Sequence, residues 1–137
     1  MKILHLTFSL LNAGKENMLV DIANEQKKQG HQVAILVIND RLDRAIIERT
    51  QQDIKIFKIA RKPGSKNPWP FIKMLFFFNL RFRPDVIHSH DHLAGKWLKY
   101  LTPRKKVLTV HGVGMEVEPM KHFDALYAIS NAVKRDV

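Results

Sequence analysis

The feature that most constrains the fold is a repeated alternation between short apolar runs and helical patterns. Positions 32–38, QVAILVI, are apolar almost without interruption, which is typical of a parallel strand with both faces covered. Similar short runs predict five more strands, at 3–7, 54–59, 85–88, 106–110 and 125–129.

Helical patterns lie between these runs. The first, 16–29, places Met18, Leu19, Ile22 and Ala23 on one face and has Gly30 at the expected end. Others cover 41–51 with Asp40 as the predicted cap, 68–82, 92–101, and 130–137 with Ser130 as the cap. Strand and helix in alternation predict an α/β, Rossmann-like parallel sheet of six or seven strands with helices on both faces. At 137 residues the chain is expected to form one domain, 1–137.

Charge and composition narrow the class of partner. The formal net charge of +10 favours phosphate-rich ligands or an anionic membrane surface. No nucleic-acid recognition motif accompanies it, so we predict no nucleic-acid partner. The absence of cysteine excludes disulfides and thiolate metal sites and fits a reducing, cytoplasmic compartment. The first residues read as a strand rather than a signal peptide, and no apolar run approaches the ~20 residues that span a bilayer.

In a parallel sheet of this kind, ligands bind beyond the carboxyl ends of the strands. After the first strand, Gly14 opens a helix whose N-terminus would favour an anion. The loop is neither a GxGxxG nor a Walker sequence, so an ordinary turn glycine explains it equally well.

The segment VIHSHDH, 86–92, places three histidines at alternate positions after the fourth strand. It suggests a zinc hydrolase, but the HxHxDH spacing of such enzymes needs one more residue before Asp91. The other interpretation is a polar strand end in which His90 lines a cleft and Asp91 caps the next helix. We predict no metal here.

After the fifth strand, His111 is followed by Gly112 and Gly114. A histidine at this position can donate to, or accept from, a ligand in the crevice, or it can bond to nearby backbone. The spacing does not choose between these roles.

The helix at 68–82 is apolar over much of its circumference, with Phe71, Leu75, Phe78 and Phe82 on one stripe. One interpretation is a helix wedged between the sheet and a neighbour. The other is a membrane-surface helix, with phenylalanines in the interface and basic residues on anionic lipid: Lys62, Lys66, Lys73, Arg81 and Arg83.

Four segments, in order and nearly end to end, resemble the N-terminal domain of a GT-B glycosyltransferase of the family-4 type. They are MKILHLTFSL with the following NAGKENMLVDIANEQKKQGHQVAILVI, then RPDVIHSHDHLAGKW, VLTVHGVG and FDALYAISNAVKRD. The resemblance implies two Rossmann-like domains that transfer a sugar from a nucleotide-sugar donor to an acceptor between them, usually with retention and without an obligatory metal or other cofactor.

The resemblance also assigns roles to residues. His111 matches a histidine close to the reacting sugar and is the expected catalytic residue. Gly14 matches the loop that approaches the donor phosphates or the transferred sugar, and Ala13 stands where the family often has a further glycine. His90 matches a position facing the cleft, and Gly112, beside His111, joins the expected substrate-binding group.

The sequence ends at Val137, where such proteins continue into the nucleotide-sugar domain, so we expect the isolated chain to be nearly inactive. The parent protein is expected to act on a glycan or lipid-linked acceptor in cell-envelope glycan synthesis, in the cytoplasm or peripherally at the inner membrane face. Two alternatives stay open: a free-standing Rossmann-like module that binds an anion or a partner, and a zinc hydrolase built on HSHDH.

Overall fold

The fold is described by a computed structural model that covers residues 1–137. Six strands form one parallel sheet in the order β3-β2-β1-β4-β5-β6, which confirms the predicted α/β class. The strands are β1 (Lys2–Thr7), β2 (Gln32–Asn39), β3 (Lys55–Arg61), β4 (Val86–Ser89), β5 (Lys105–Val110) and β6 (Ala125–Ala128).

Five α-helices connect or follow the strands. They are α1 (Gly14–Lys28), α2 (Arg44–Arg49), α3 (Trp69–Phe76), α4 (Gly95–Leu101) and α5 (Asn131–Asp136). A π-helical turn, Phe77–Arg81, continues α3, and short 3-10 turns occupy His92–Ala94 and Glu118–His122. None of these helices is long and apolar enough to cross a membrane.

Two of the predicted helix caps are present in the structure. The Oγ of Ser130 accepts a hydrogen bond from the backbone N–H of Val133 at 3.2 Å, as expected of an N-cap. Gly30 follows α1 with φ of +89°, a conformation that glycine adopts without strain.

The predicted cap of α2 was wrong. Asp43, not Asp40, caps this helix, and its carboxylate accepts from the Ala45 N–H at 2.8 Å. The preceding residues are held extended, because Leu10 pairs with Leu42 in a parallel bridge. Because of this pairing, α2 begins at Arg44 rather than at position 41.

Side chains alternate along β1 and build two cores. Leu4 and Leu6 face the layer formed by α3, the π turn and α4. The opposite face of the sheet packs against α1 and α2 through Val33, Ile35 and Val37. His5 and Thr7 alternate with Leu4 and Leu6, so they point to the α1 side.

Helix α1 leaves part of its face of the sheet open beside it. A pocket of about 580 Å³ lies there, between α1 and the side chains of β4, β5 and β6. Its lining includes Ile22, His88, Val107, Thr109 and Tyr127.

Candidate active site

Four histidines from three neighbouring strands meet at the carboxyl end of the sheet. His5 lies in the central strand β1, His88 and His90 lie at the end of β4, and His111 follows β5. Alternate residues of parallel strands share a face, so all four rings come to the α1 side. Ring centroids are 5.3 Å apart for His5 and His90, 4.5 Å for His88 and His90, and 5.5 Å for His90 and His111.

Hydrogen bonds join three of these histidines in a line. The Nε2 atom of His5 is 2.8 Å from the side-chain oxygen of Gln26 on α1. The Nδ1 atom of His5 is 3.0 Å from Nε2 of His90, and Nδ1 of His90 is 3.2 Å from Nε2 of His111. We call Gln26, His5, His90 and His111 the histidine line.

Burial keeps these imidazoles neutral at physiological pH. Desolvation, together with nearby His88, lowers the pKa of His5 to about 3, and desolvation with His111 lowers the pKa of His88 to about 4. The pKa of His90 lies well below its usual value, mainly because of burial and then because of the neighbouring histidines. Burial and then Lys15 lower the pKa of the half-buried His111.

The other histidine of the group, His88, lies beside this line. Its Nε2 atom is 2.7 Å from the hydroxyl oxygen of Thr109 in β5. Its Nδ1 atom has no protein partner and is not sealed from solvent, since every buried side-chain nitrogen and oxygen is hydrogen bonded. His88 therefore connects the histidine group to the 580 Å³ pocket, which it lines.

His5, His88 and His90 lie close enough to one another to be considered as ligands of one metal ion. One nitrogen from each lies within 4.8 Å of the others, and neutral imidazole is the form that binds zinc. Both nitrogens of His5 and both of His90 are already hydrogen bonded within the protein. An ion bound here would have to displace these hydrogen bonds of His5 and His90.

The carboxylate of Asp91 makes no hydrogen bond to these histidines. It accepts from the Phe8 N–H at 2.7 Å and the Thr7 hydroxyl at 3.0 Å, and it pairs with the Lys15 ammonium at 2.6 Å. The predicted capping role of Asp91 was wrong, because its side chain makes no cap bond to the turn that follows. Instead Asp91 holds the end of β4 to the loop that precedes α1.

That loop presents the residues expected to approach a ligand. Ala13 is the N-cap of α1, without a side-chain cap bond, and Gly14 is the first helical residue. Both are exposed, and a Cβ atom added to Gly14 would meet nothing within 4 Å. The packing of this chain therefore does not require a glycine at position 14.

His111 lies near the same loop. It bonds to His90, whose chain neighbour Asp91 pairs with Lys15 in the first turn of α1. Its Nδ1 atom has no protein partner and is open to solvent. Gly112 follows it in a partly exposed turn, where an added Cβ would lie 3.2 Å from the methyl carbon of Met115.

The structure thus brings His90 and His111 into direct contact and puts Ala13 and Gly14 on the neighbouring loop. Sequence reasoning missed His5, Gln26 and Lys15 as members of this site. A signal was present for His5, a polar residue inside the apolar run ILHLT. Lys15 carried no comparable signal, because its partner Asp91 is 76 residues away.

Comparisons with known proteins agree with one another. The sequence model described as Glycosyltransferase Family 4 matches residues 13–137. The fold is similar to that of Anabaena Alr3699/HepE in complex with UDP and glucose, with a TM-score of 0.64 and 18% identity over 88% of this chain and 34% of that chain. It is also similar to a glycosyltransferase from Rickettsia africae ESF-5, with a TM-score of 0.62 and 23% identity over 97% of this chain and 38% of that chain.

The chain therefore spans roughly a third of the length of these two solved proteins, 34% and 38%. No curated protein matches it by sequence.

Proposed function

Since this chain belongs to glycosyltransferase family 4, we propose that it is the acceptor-side domain of an enzyme that transfers a sugar from a nucleotide-sugar donor. The acceptor is a saccharide or a lipid-linked glycan of the cell envelope. One observation carries the proposal: His111, with an open Nδ1 atom, bonds to His90, and Asp91 next to His90 pairs with Lys15 in the first turn of α1.

The chemistry of sugar transfer suits these groups. The transition state has oxocarbenium character and a departing, negatively charged diphosphate. Hydrogen-bond donors and positive charges of the protein that face the diphosphate stabilise it. The first N–H groups of α1 are unpaired within the helix and favour an anion. The exposed Gly14 lets a phosphate or sugar approach the backbone closely.

His111 is suited to a sugar hydroxyl rather than to a phosphate. Its pKa is lowered from the usual value, so near neutral pH it is an uncharged ring with one donor and one acceptor. A neutral ring can orient a hydroxyl of the transferred sugar without adding charge. We assign His111 as the catalytic residue, and Ala13, Gly14, His90 and Gly112 as the substrate-binding group.

The proposal includes a second domain that carries most of the donor nucleotide, and no obligatory metal. The length of the similar structures supports a larger parent protein, and the UDP and glucose bound to Alr3699/HepE support a nucleotide-sugar donor. We expect the 137-residue chain alone to show little transfer, because half a cleft does not enclose the reacting sugar.

The experiment is a transfer assay on the parent protein with a panel of nucleotide-sugars, comparing His111→Ala with His122→Ala. We expect His111→Ala to lower kcat by about 100-fold or more, the usual effect of losing a preorganised hydrogen-bonding group at the reacting centre. His122, in the 3-10 turn before β6, is the control and should leave kcat unchanged. Transfer by His111→Ala at the wild-type rate would remove the assignment.

We also propose that the protein meets an anionic membrane at its cytoplasmic face. The α3 surface consists of the exposed apolar side chains Trp69, Ile72, Phe76 and Leu80, with Lys73 and Arg81 on the same helical segment. Trp69 is 62% exposed, Phe76 57% and Leu80 68%. Apolar side chains beside basic ones are typical of a helix that lies in a lipid interface.

The same helical segment also packs inward, through Met74, Phe77 and Phe78. The two interpretations of positions 68–82 are therefore compatible. One face is a core element, and the other is available to a membrane.

A further inference from the structure

The histidine line runs from helix α1 to His111. Its three bonds join donors and acceptors from four separate elements: α1, β1, the end of β4 and the end of β5. His5 and His90 are fully or almost fully buried, at 0% and 3% exposure. The bond between them is therefore shielded from water, while the bonds to Gln26 and His111 are partly buried.

Neutral imidazole carries one N–H and one lone pair, so the bonds along the line must all run in one direction. The Gln26 oxygen accepts, and His5 must donate to it from Nε2. The Nδ1 lone pair of His5 then accepts from Nε2 of His90, and the Nδ1 lone pair of His90 accepts from Nε2 of His111.

The direction of these bonds fixes the tautomer of His111, the last residue of the line. With its proton on Nε2, His111 presents a lone pair at Nδ1, the nitrogen that is open to solvent. If the Gln26 amide turned over and donated, every bond would reverse and His111 would carry its proton on Nδ1. The orientation of one amide therefore decides whether the open nitrogen accepts or donates.

We propose that Gln26 and His5 are positioning residues that act through His90 to hold His111 with its Nδ1 atom as a hydrogen-bond acceptor toward the cleft. The natural partner of such an acceptor is a hydroxyl group of the sugar. The use of this tautomer in catalysis rests on the proposed function, whereas the tautomer itself does not.

The tautomer can be measured directly on the 137-residue chain. Long-range ¹H–¹⁵N correlation spectra of ¹⁵N-histidine-labelled protein distinguish a protonated ring nitrogen from an unprotonated one. We expect His111 to be protonated on Nε2 and His5 likewise. A wild-type spectrum with the His111 proton on Nδ1 would overturn the proposal.

Variants at position 26 separate the hydrogen bond from the shape of the side chain. Gln26→Met keeps the length but removes the acceptor, and we expect His111 to become a mixture of tautomers. Gln26→Glu can only accept, and at pH 8.5, where His5 stays neutral, it should restore the wild-type tautomer. Gln52→Glu is the control, with the same charge change at an exposed position. An unchanged His111 tautomer in Gln26→Met would overturn the proposal.

If Gln26→Met does not fold, His5→Met breaks the line one bond later and leaves His90 without its acceptor. The same mixture is expected at His111. The spectrum of this variant therefore tests the line independently of position 26.

Kinetics on the parent protein test the use of the tautomer. If half of the molecules lose the accepting tautomer, kcat/KM should fall about twofold, in proportion to the fraction measured by NMR. If His111→Ala has no effect on transfer, the proposed function fails while the spectra still decide the tautomer. If His111→Ala abolishes transfer and Gln26→Met changes the tautomer but not kcat/KM, the positioning role fails alone.

Discussion

At the scale of single residues, the buried histidines make the stability of the fold depend on pH. Histidine in an unfolded chain has a pKa near 6.5, whereas the pKa is about 3 for His5 and about 4 for His88 in the folded protein. Between these values the unfolded chain binds protons that the folded chain does not. Stability is therefore greatest above pH 6.5 and is lost as the pH falls toward 4.

Below pH 6.5, and above the pKa of the folded state, we expect the free energy of unfolding to fall by up to about 1.4 kcal/mol per pH unit for each such histidine. Urea unfolding between pH 7.5 and 5.0 measures this slope. His88→Asn should lower the slope by the contribution of one histidine, about 1.4 kcal/mol per pH unit. An identical slope in the wild-type protein and in His88→Asn would contradict the expectation.

Residue-scale prediction from sequence succeeded only where partners are close in the chain. Ser130 was correctly identified as a cap because its partner is three residues away. The role of the Asp91 carboxylate was not predicted, because the groups that it binds lie 83 and 84 residues earlier in the chain. The line from Gln26 to His111 is complete only when four elements have folded together.

At the scale of elements, two glycines at the starts of helices differ in the space around them: Gly95 has no room for a side chain and Gly14 has. A Cβ on Gly95, at the start of α4, would overlap the carbonyl oxygen of Pro119 and lie 2.9 Å from a ring carbon of Phe123. The 3-10 turn Glu118–His122 can pack against α4 only because this side chain is absent. Gly14, at the start of α1, has open space instead.

We expect Gly95→Ala to lower the free energy of unfolding by about 1–3 kcal/mol, as overpacking usually does. Gly14→Ala should leave it unchanged or raise it by up to ~1 kcal/mol, because alanine is the better helix former. Urea denaturation of the two variants gives the comparison directly. If alanine costs the same at both positions, the packing account of Gly95 is wrong.

Elements were predicted well where periodicity alone decides them. All six strands and the α/β class follow from apolar runs that alternate with helical faces. The helix predicted at 68–82 instead changes to a π turn at Phe77, where the side-chain amide of Asn79 donates to the carbonyl oxygens of Leu75 and Leu101, each at 2.9 Å. The bond to Leu101 reaches another helix, and no local pattern announces it.

At the scale of the whole molecule, a net charge of +10 acts together with the α3 surface. We expect the chain to sediment with vesicles that contain anionic lipid and not with neutral ones. The double variant Phe76→Ser, Leu80→Ser should release it, since both side chains are exposed on that surface. Ile47→Ser, a 39% exposed apolar residue on α2, is the control. Equal sedimentation of both variants would exclude the α3 surface as the contact.

The central place of β1 in the sheet has a consequence for how the polypeptide folds as it leaves the ribosome. On one side β1 pairs with β2, which follows about 30 residues later. On the other side β1 pairs with β4. Asp85, just before β4, accepts a hydrogen bond from the backbone N–H of Lys2, 83 residues earlier. Until β4 forms, one edge of β1 has no partner, and the free edge of a strand can pair with another chain. The N-terminal half can thus form only a three-stranded sheet, with one edge of β1 open to another chain, until β4 has been synthesised.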